Sequence, residues 1–119
     1  MNNLHTAYAI GAMLQCALWS STDFDGTPLD EDHGIHDFHP TATRALIGDL
    51  EAFIEAEAAD ITASGLTAQQ VGHDFWLTRN GHGAGFWDRG LGEIGDRLTA
   101  AAKVYGGVDL YIGDDGAIY

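Results

Sequence analysis

Apolar residues Leu4, Tyr8, Gly11, Leu14 and Leu18 recur at helical spacing, with Ala7 and Cys16 nearby, and residues 1–22 contain no Asp, Glu, Lys or Arg. The pattern predicts a helix of about four turns, buried on most sides. The stretch SSTDFDGTPLDEDHGIHDFH, Ser20 to His39, then carries six acids together with Gly and Pro, and predicts an irregular loop across the surface. Pro40 suits the first turn of a second helix, since its missing N–H would have no partner there. Leu46, Ile47, Leu50, Phe53 and Ile54 form its apolar stripe, and Asp49, Glu51, Glu55 and Glu57 its outer faces. A short helix is expected to open near Thr67 and stop at Gly72.

The next pattern predicts strands. In FWLTRNGHGAGFWDRG, Phe75 to Gly90, an Asn80-Gly81 turn of type I′ would pair Arg79 with His82, Leu77 with Ala84 and Phe75 with Phe86 on one face. Asp74, Trp76 and Thr78 would face Trp87, Gly85 and Gly83 on the other, with Gly85 making room for the Trp76 indole. Leu91, Ile94, Leu98, Ala101 and Ala102 mark a third helix, ended by Gly106-Gly107. Val108, Leu110 and Ile112 alternate with Asp109 and Tyr111, and Asp115-Gly116 offers a second hairpin turn into Ala117–Tyr119. The expected fold is α+β: a single domain over residues 1–119 with a small antiparallel sheet of three to four strands, built from two hairpins and packed against three main helices.

Charge narrows the function. Eighteen Asp and Glu stand against five Lys and Arg, a formal net charge of -13, and eleven of the acids precede residue 61, where Arg44 is the only cation. Such a surface repels phosphate backbones and anionic headgroups, so neither direct nucleic-acid binding nor membrane binding is expected. With 45% apolar residues the chain has enough hydrophobic surface to fold. Cys16 is the single cysteine, which fits a cytosolic protein with no internal disulfide. The uncharged N-terminal run lacks a basic leader region and is too short and too interrupted to span a bilayer, so a buried helix is expected.

The run GHDFWLTRNGHGAGFWDRG, Gly72 to Gly90, the closing DLYIGDDGAIY, and ALWSSTD at Ala17 to Asp23 resemble a widespread family of small uncharacterised proteins of bacteriophages and prophage-bearing bacteria. The resemblance implies a phage accessory protein acting in the host cytoplasm. It brings no cofactor and no catalytic residue.

Several constellations invite chemistry. His33-x-x-His36-x-x-His39 lies among acids, yet its spacing matches no usual zinc motif, and no metal or cofactor is expected. His73, Asp74, Arg79, His82 and Asp88 have the residue types of a small hydrolase or nuclease, but the hairpin register would set His73 about 20 Å from His82. The remaining reading is a protein-binding surface. Asp23, Asp25, Asp30, Glu31, Asp32, Asp37, Asp49, Glu51 and Glu55 would imitate a line of phosphates, and Trp76, Arg79, Asn80, His82 and Trp87 would present binding types on the hairpin. The expected function is non-enzymatic inhibition of a host nucleic-acid-binding defence complex, of anti-CRISPR or anti-restriction type. The alternatives are a small hydrolase or nuclease using the hairpin histidines, and an interaction module in phage replication or recombination. An exposed aromatic hairpin face would also allow a homodimer.

Overall fold

The computed structural model describes residues 3–119, and the side chains from residue 5 onward. Among the described residues the chain forms six α-helices and two 3₁₀ turns: α1 (Asn3–Ser20), α2 (Leu29–Asp32), a 3₁₀ turn at Ile35–Asp37, α3 (Pro40–Ala56), α4 (Ala58–Ser64), α5 (Ala68–Arg79), a 3₁₀ turn at Phe86–Asp88, and α6 (Glu93–Lys103). The described residues include no strands; their extended segments pair only through isolated bridges, Thr22 with Pro28, Ile112 with Ile118, and Phe38 with Ile118. The expected α+β sheet is therefore overturned, and the fold is helical.

The correction centres on residues 68–88. Thr67 opens α5 with a reciprocal cap: its hydroxyl accepts the Gln70 N–H at 3.1 Å, and the Gln70 side chain accepts the Thr67 N–H at 3.0 Å. The helix then runs through Gly72 to Arg79, where a hairpin strand was expected. Asn80-Gly81 ends it: Gly81 takes φ +71°, its N–H donates to Thr78 O at 3.2 Å, and the His82 N–H donates to Leu77 O at 3.0 Å. These are the two bonds of a glycine-terminated helix C-cap, a second use of the dipeptide read as a hairpin turn. Gly85 lies against the Thr78 hydroxyl, which accepts the Phe86 N–H, and not against Trp76.

Gly72 is a contact point, not a stop. A Cβ on it would lie 1.9 Å from the Ala9 carbonyl oxygen, so α1 and α5 touch backbone to backbone there. Theirs is the most extensive helix–helix contact among the described residues. Around it Phe53 of α3 meets Phe75 in a tilted contact at 4.7 Å and stacks on Phe86 at 5.6 Å, and Tyr105 sits edge-on to Phe75 and Phe53. α5 is enclosed: Val71, Phe75, Trp76, Leu77 and Thr78 are all buried.

Elsewhere local signals carry through. Pro40 starts α3, whose Leu46, Leu50, Phe53 and Ile54 are buried, and His39 caps it by accepting the Thr41 N–H on Nδ1 at 3.1 Å. No helix among the described residues is long and apolar enough to cross a membrane. Cys16 is fully buried, and burial together with the nearby Asp74 charge pushes its thiol up to about 12. In the native protein the thiol should therefore resist Ellman's reagent at pH 8, and its reaction rate should follow unfolding in a urea series. Fast labelling without urea would contradict this packing.

Candidate protein-binding surface

Three of the five cations are committed to carboxylates of the fold, and one of them, Arg79, is buried. Arg79, 6% exposed, donates from Nη1 to Asp49 at 3.0 Å, from Nε to Gly106 O at 2.8 Å and from Nη2 to Tyr105 O at 3.0 Å, and its guanidinium lies over the Phe75 and Tyr105 rings. Arg89 grips the buried Asp74 carboxylate with two arms, and this bond raises the guanidinium pKa further. Arg97 binds Asp60 twice at 2.8 Å, joining α6 to α4. That leaves Arg44 and Lys103 to face the other fifteen carboxylates, so the whole net charge of -13 lies outside these pairs.

The expected binding residues divide accordingly. Asp25, Asp30, Glu31, Asp32, Glu51 and Glu55 are exposed. Asp23 and Asp37 are half-buried and also serve the backbone: Asp23 accepts the Thr27 N–H and Asp37 the Gly34 N–H. Asp49 is tied to Arg79. Exposed carboxylates outside the acidic first half, not among the expected binding residues, are Asp88, Glu93, Asp96, Asp109, Asp114 and Asp115.

The hairpin set comes apart with the hairpin. Trp76 is buried and donates from Nε1 to Ser20 Oγ at 2.9 Å. Asn80 fastens the C-cap to the chain beyond α6, donating to Trp76 O and accepting the Val108 N–H at 2.7 Å. With Arg79 also inside, only His82 and Trp87 of the five face solvent, Trp87 by 50%. Sequence reasoning missed Phe24, 99% exposed on the turn between α1 and α2, and Trp19, 49% exposed and 5.8 Å from the His73 ring.

The candidate chemistry is likewise redistributed. His73 Nδ1 lies 3.2 Å from Asp74 Oδ1, on the edge of the Arg89 pair. His82 lines a separate cleft of about 290 Å³ with Ser20, Ser21, Thr22, Trp76, Asn80 and Asp109. The 20 Å separation belonged to the hairpin; along a helix, residues 73 to 79 advance about 9 Å. His33 is half-buried, His36 is exposed beside Asp37, and His39 stacks on Tyr119 at 4.6 Å. Among the described residues no group of three or more His, Cys, Asp or Glu is placed to hold a metal ion.

Two acids, the half-buried Asp60 and the exposed Asp115, are tuned by their partners. The Arg97 hydrogen bonds hold the Asp60 carboxyl below its usual range, and the Tyr119 hydroxyl, with the Ala117 N–H, does the same for Asp115. A depressed folded pKa means that the stabilisation is complete above the unfolded value, near pH 4, and lost as pH falls through the lower folded one. Between pH 5 and pH 2, roughly, the urea midpoint should fall less in Asp60→Asn than in the wild type. Parallel pH profiles would remove the pair's contribution.

No family model, no curated protein and no solved structure matches this chain.

Proposed function

We propose that this protein is a non-enzymatic binder that occupies a basic, nucleic-acid-binding surface of another protein. The observation that carries the reading is the division of charge: Arg79, Arg89 and Arg97 are each committed to a carboxylate of the fold, Asp49, Asp74 and Asp60, and the other fifteen carboxylates outnumber the remaining cations, Arg44 and Lys103, by thirteen. Carboxylates at the surface of a folded domain can take the Lys and Arg positions that otherwise hold phosphates, which favours fast, salt-sensitive association. The resemblance to phage-borne proteins makes a host defence complex, of CRISPR-effector or restriction type, the partner class.

The test is capture from nuclease-treated host lysate, with bound proteins identified by mass spectrometry. The bait is the wild type or a variant with Asp30, Glu31, Asp32, Glu51 and Glu55 changed to their amides. The wild type should retain a nucleic-acid-binding complex, and five neutralised contacts should weaken its binding on the order of 100-fold. Undiminished binding by the folded variant would defeat the reading.

A second reading, a small hydrolase, is favoured by one observation: the His82 cleft gathers Ser21, Thr22 and Asp109 from distant segments. Its test is turnover of nucleotide and ester substrates that disappears in a folded His82→Ala variant. No turnover with any of them would remove this reading.

A further inference from the structure

Residues 21–29 and 111–119 build one hairpin twice. In the first, the Asp23 N–H donates to Thr27 O, the Gly26 N–H to Asp23 O, and the Leu29 N–H to Ser21 O; in the second, Gly113 pairs with Ala117, Gly116 with Gly113, and Tyr119 with Tyr111. Each turns at a glycine of positive φ, +88° at Gly26 and +81° at Gly116. In each, the preceding aspartate accepts the N–H two residues on: Asp25 that of Thr27 at 3.1 Å, Asp115 that of Ala117 at 3.0 Å. The tips differ. Phe24 stands where the second turn has Asp114.

The comparison isolates Phe24. The same turn closes in this chain with a carboxylate at the tip, so the turn does not require an aromatic ring there. Nor does the ring pack, being 99% exposed, and leaving it in water forgoes about 1.5–3 kcal/mol of burial. Yet it is firmly presented. Asp23 Oδ1 accepts the N–H of both Asp25 and Thr27, two clasps that Gly113 cannot supply in the second turn. With the backbone of the turn fixed before contact, only the two side-chain torsions of the ring remain to be ordered on docking, as expected of an anchor residue.

We propose that Phe24 is the anchor of a docking surface that inserts into an apolar socket with a Lys/Arg rim on a protein partner. The rim follows from charge. Phe24 is flanked by Asp23 and Asp25, Asp30, Glu31 and Asp32 follow in α2, and no Lys or Arg precedes Arg44. A second copy of the chain would bring -13 against -13, which disfavours self-docking. The anchor deepens the reading above, on which its cationic rim rests.

The experiment places benzoyl-phenylalanine at position 24, or at position 114 of the matching turn. Each protein is irradiated alone and in nuclease-treated host lysate, and adducts are mapped by mass spectrometry. Crosslinking should occur from position 24 and not from 114, onto apolar residues bordered by Lys or Arg in another protein. Unmodified wild type should suppress the adduct at about 30-fold lower concentration than Phe24→Ala. Adducts from both positions alike, from neither, or onto another copy of this chain would overturn the anchor. If Phe24→Ala competes as well as wild type while the amide variant fails, the anchor is wrong and the electrostatic reading stands. An adduct at 24 that is indifferent to salt and to added duplex DNA keeps the anchor and removes the electrostatic reading.

Discussion

Gly72→Ala should lower the melting temperature by roughly 8 °C, at about 4 °C per kcal/mol for a chain of this size. Two effects oppose each other. Alanine favours a helix over glycine by about 1 kcal/mol. Against that, the added Cβ would sit 1.9 Å from the Ala9 carbonyl oxygen, a backbone atom that cannot swing aside, so α1 and α5 must separate along their whole contact. Overpacking of this kind costs about 1–3 kcal/mol and occasionally more, and a backbone collision belongs at the high end. Set against the helix preference, this leaves a net loss of about 2 kcal/mol. Gly48→Ala is the control: it too lies mid-helix, a Cβ there meets nothing within 4 Å, and it should stabilise by about 0.5–1 kcal/mol. Thermal melts followed by circular dichroism decide the matter, and an unchanged or raised melting temperature for Gly72→Ala would refute the close helix contact.

Arg89→Ala should cost about 2–3 kcal/mol, far more than an ordinary surface arginine. The asymmetry of the pair sets the figure. The Asp74 side chain is 2% exposed, whereas that of Arg89 is 30% exposed, so removing the arginine leaves a buried carboxylate beside His73 alone. Breaking a buried pair costs about 3–5 kcal/mol, which we reduce because water can enter the space the guanidinium leaves. Asp74→Asn should cost less, since the freed arginine can turn to solvent, and the double variant should recover part of the loss. Urea unfolding of the four proteins measures the cycle. A loss no larger than that of Arg97→Ala, in the exposed pair, would show that Asp74 needs no partner.

The contrast between α3 and α5 shows how far the sequence could be read. α3 has a water-facing side, so Leu46, Leu50, Phe53 and Ile54 stood out against Glu51 and Glu55, and Pro40 marked its start. α5 is packed on nearly every side, and a helix without a wet face has no polar stripe to reveal its period. There Val71 and Phe75 were one helical turn apart, and Thr67 with Gln70 formed a capping pair, but Gly72 read as a terminator because its neighbour Ala9 is distant in sequence. Asn80-Gly81 fits a hairpin turn and a helix C-cap equally well. The error carried to the site: Trp76 and Arg79 moved from an imagined surface into the interior. The exposed acids were legible from composition, but Phe24 was not. Only the second copy of its turn, with Asp114 at the tip, shows that the ring is not there for the fold.

The division of charge also explains why the protein can carry -13 and still fold. The few cations that the chain has are placed where a carboxylate would otherwise be buried or where helices must be joined: Arg89 on Asp74, Arg79 on Asp49 and the chain end of α6, Arg97 on Asp60. The outer carboxylates are left to water, or to a cationic surface that fits them. The most direct measurement is the affinity for the captured partner across a salt series, from about 50 to 500 mM, with and without duplex nucleic acid. The account predicts affinity that falls steeply with salt and a complex that excludes the duplex. Binding that is unchanged across the series, or a stable ternary complex with the nucleic acid still in place, would contradict it.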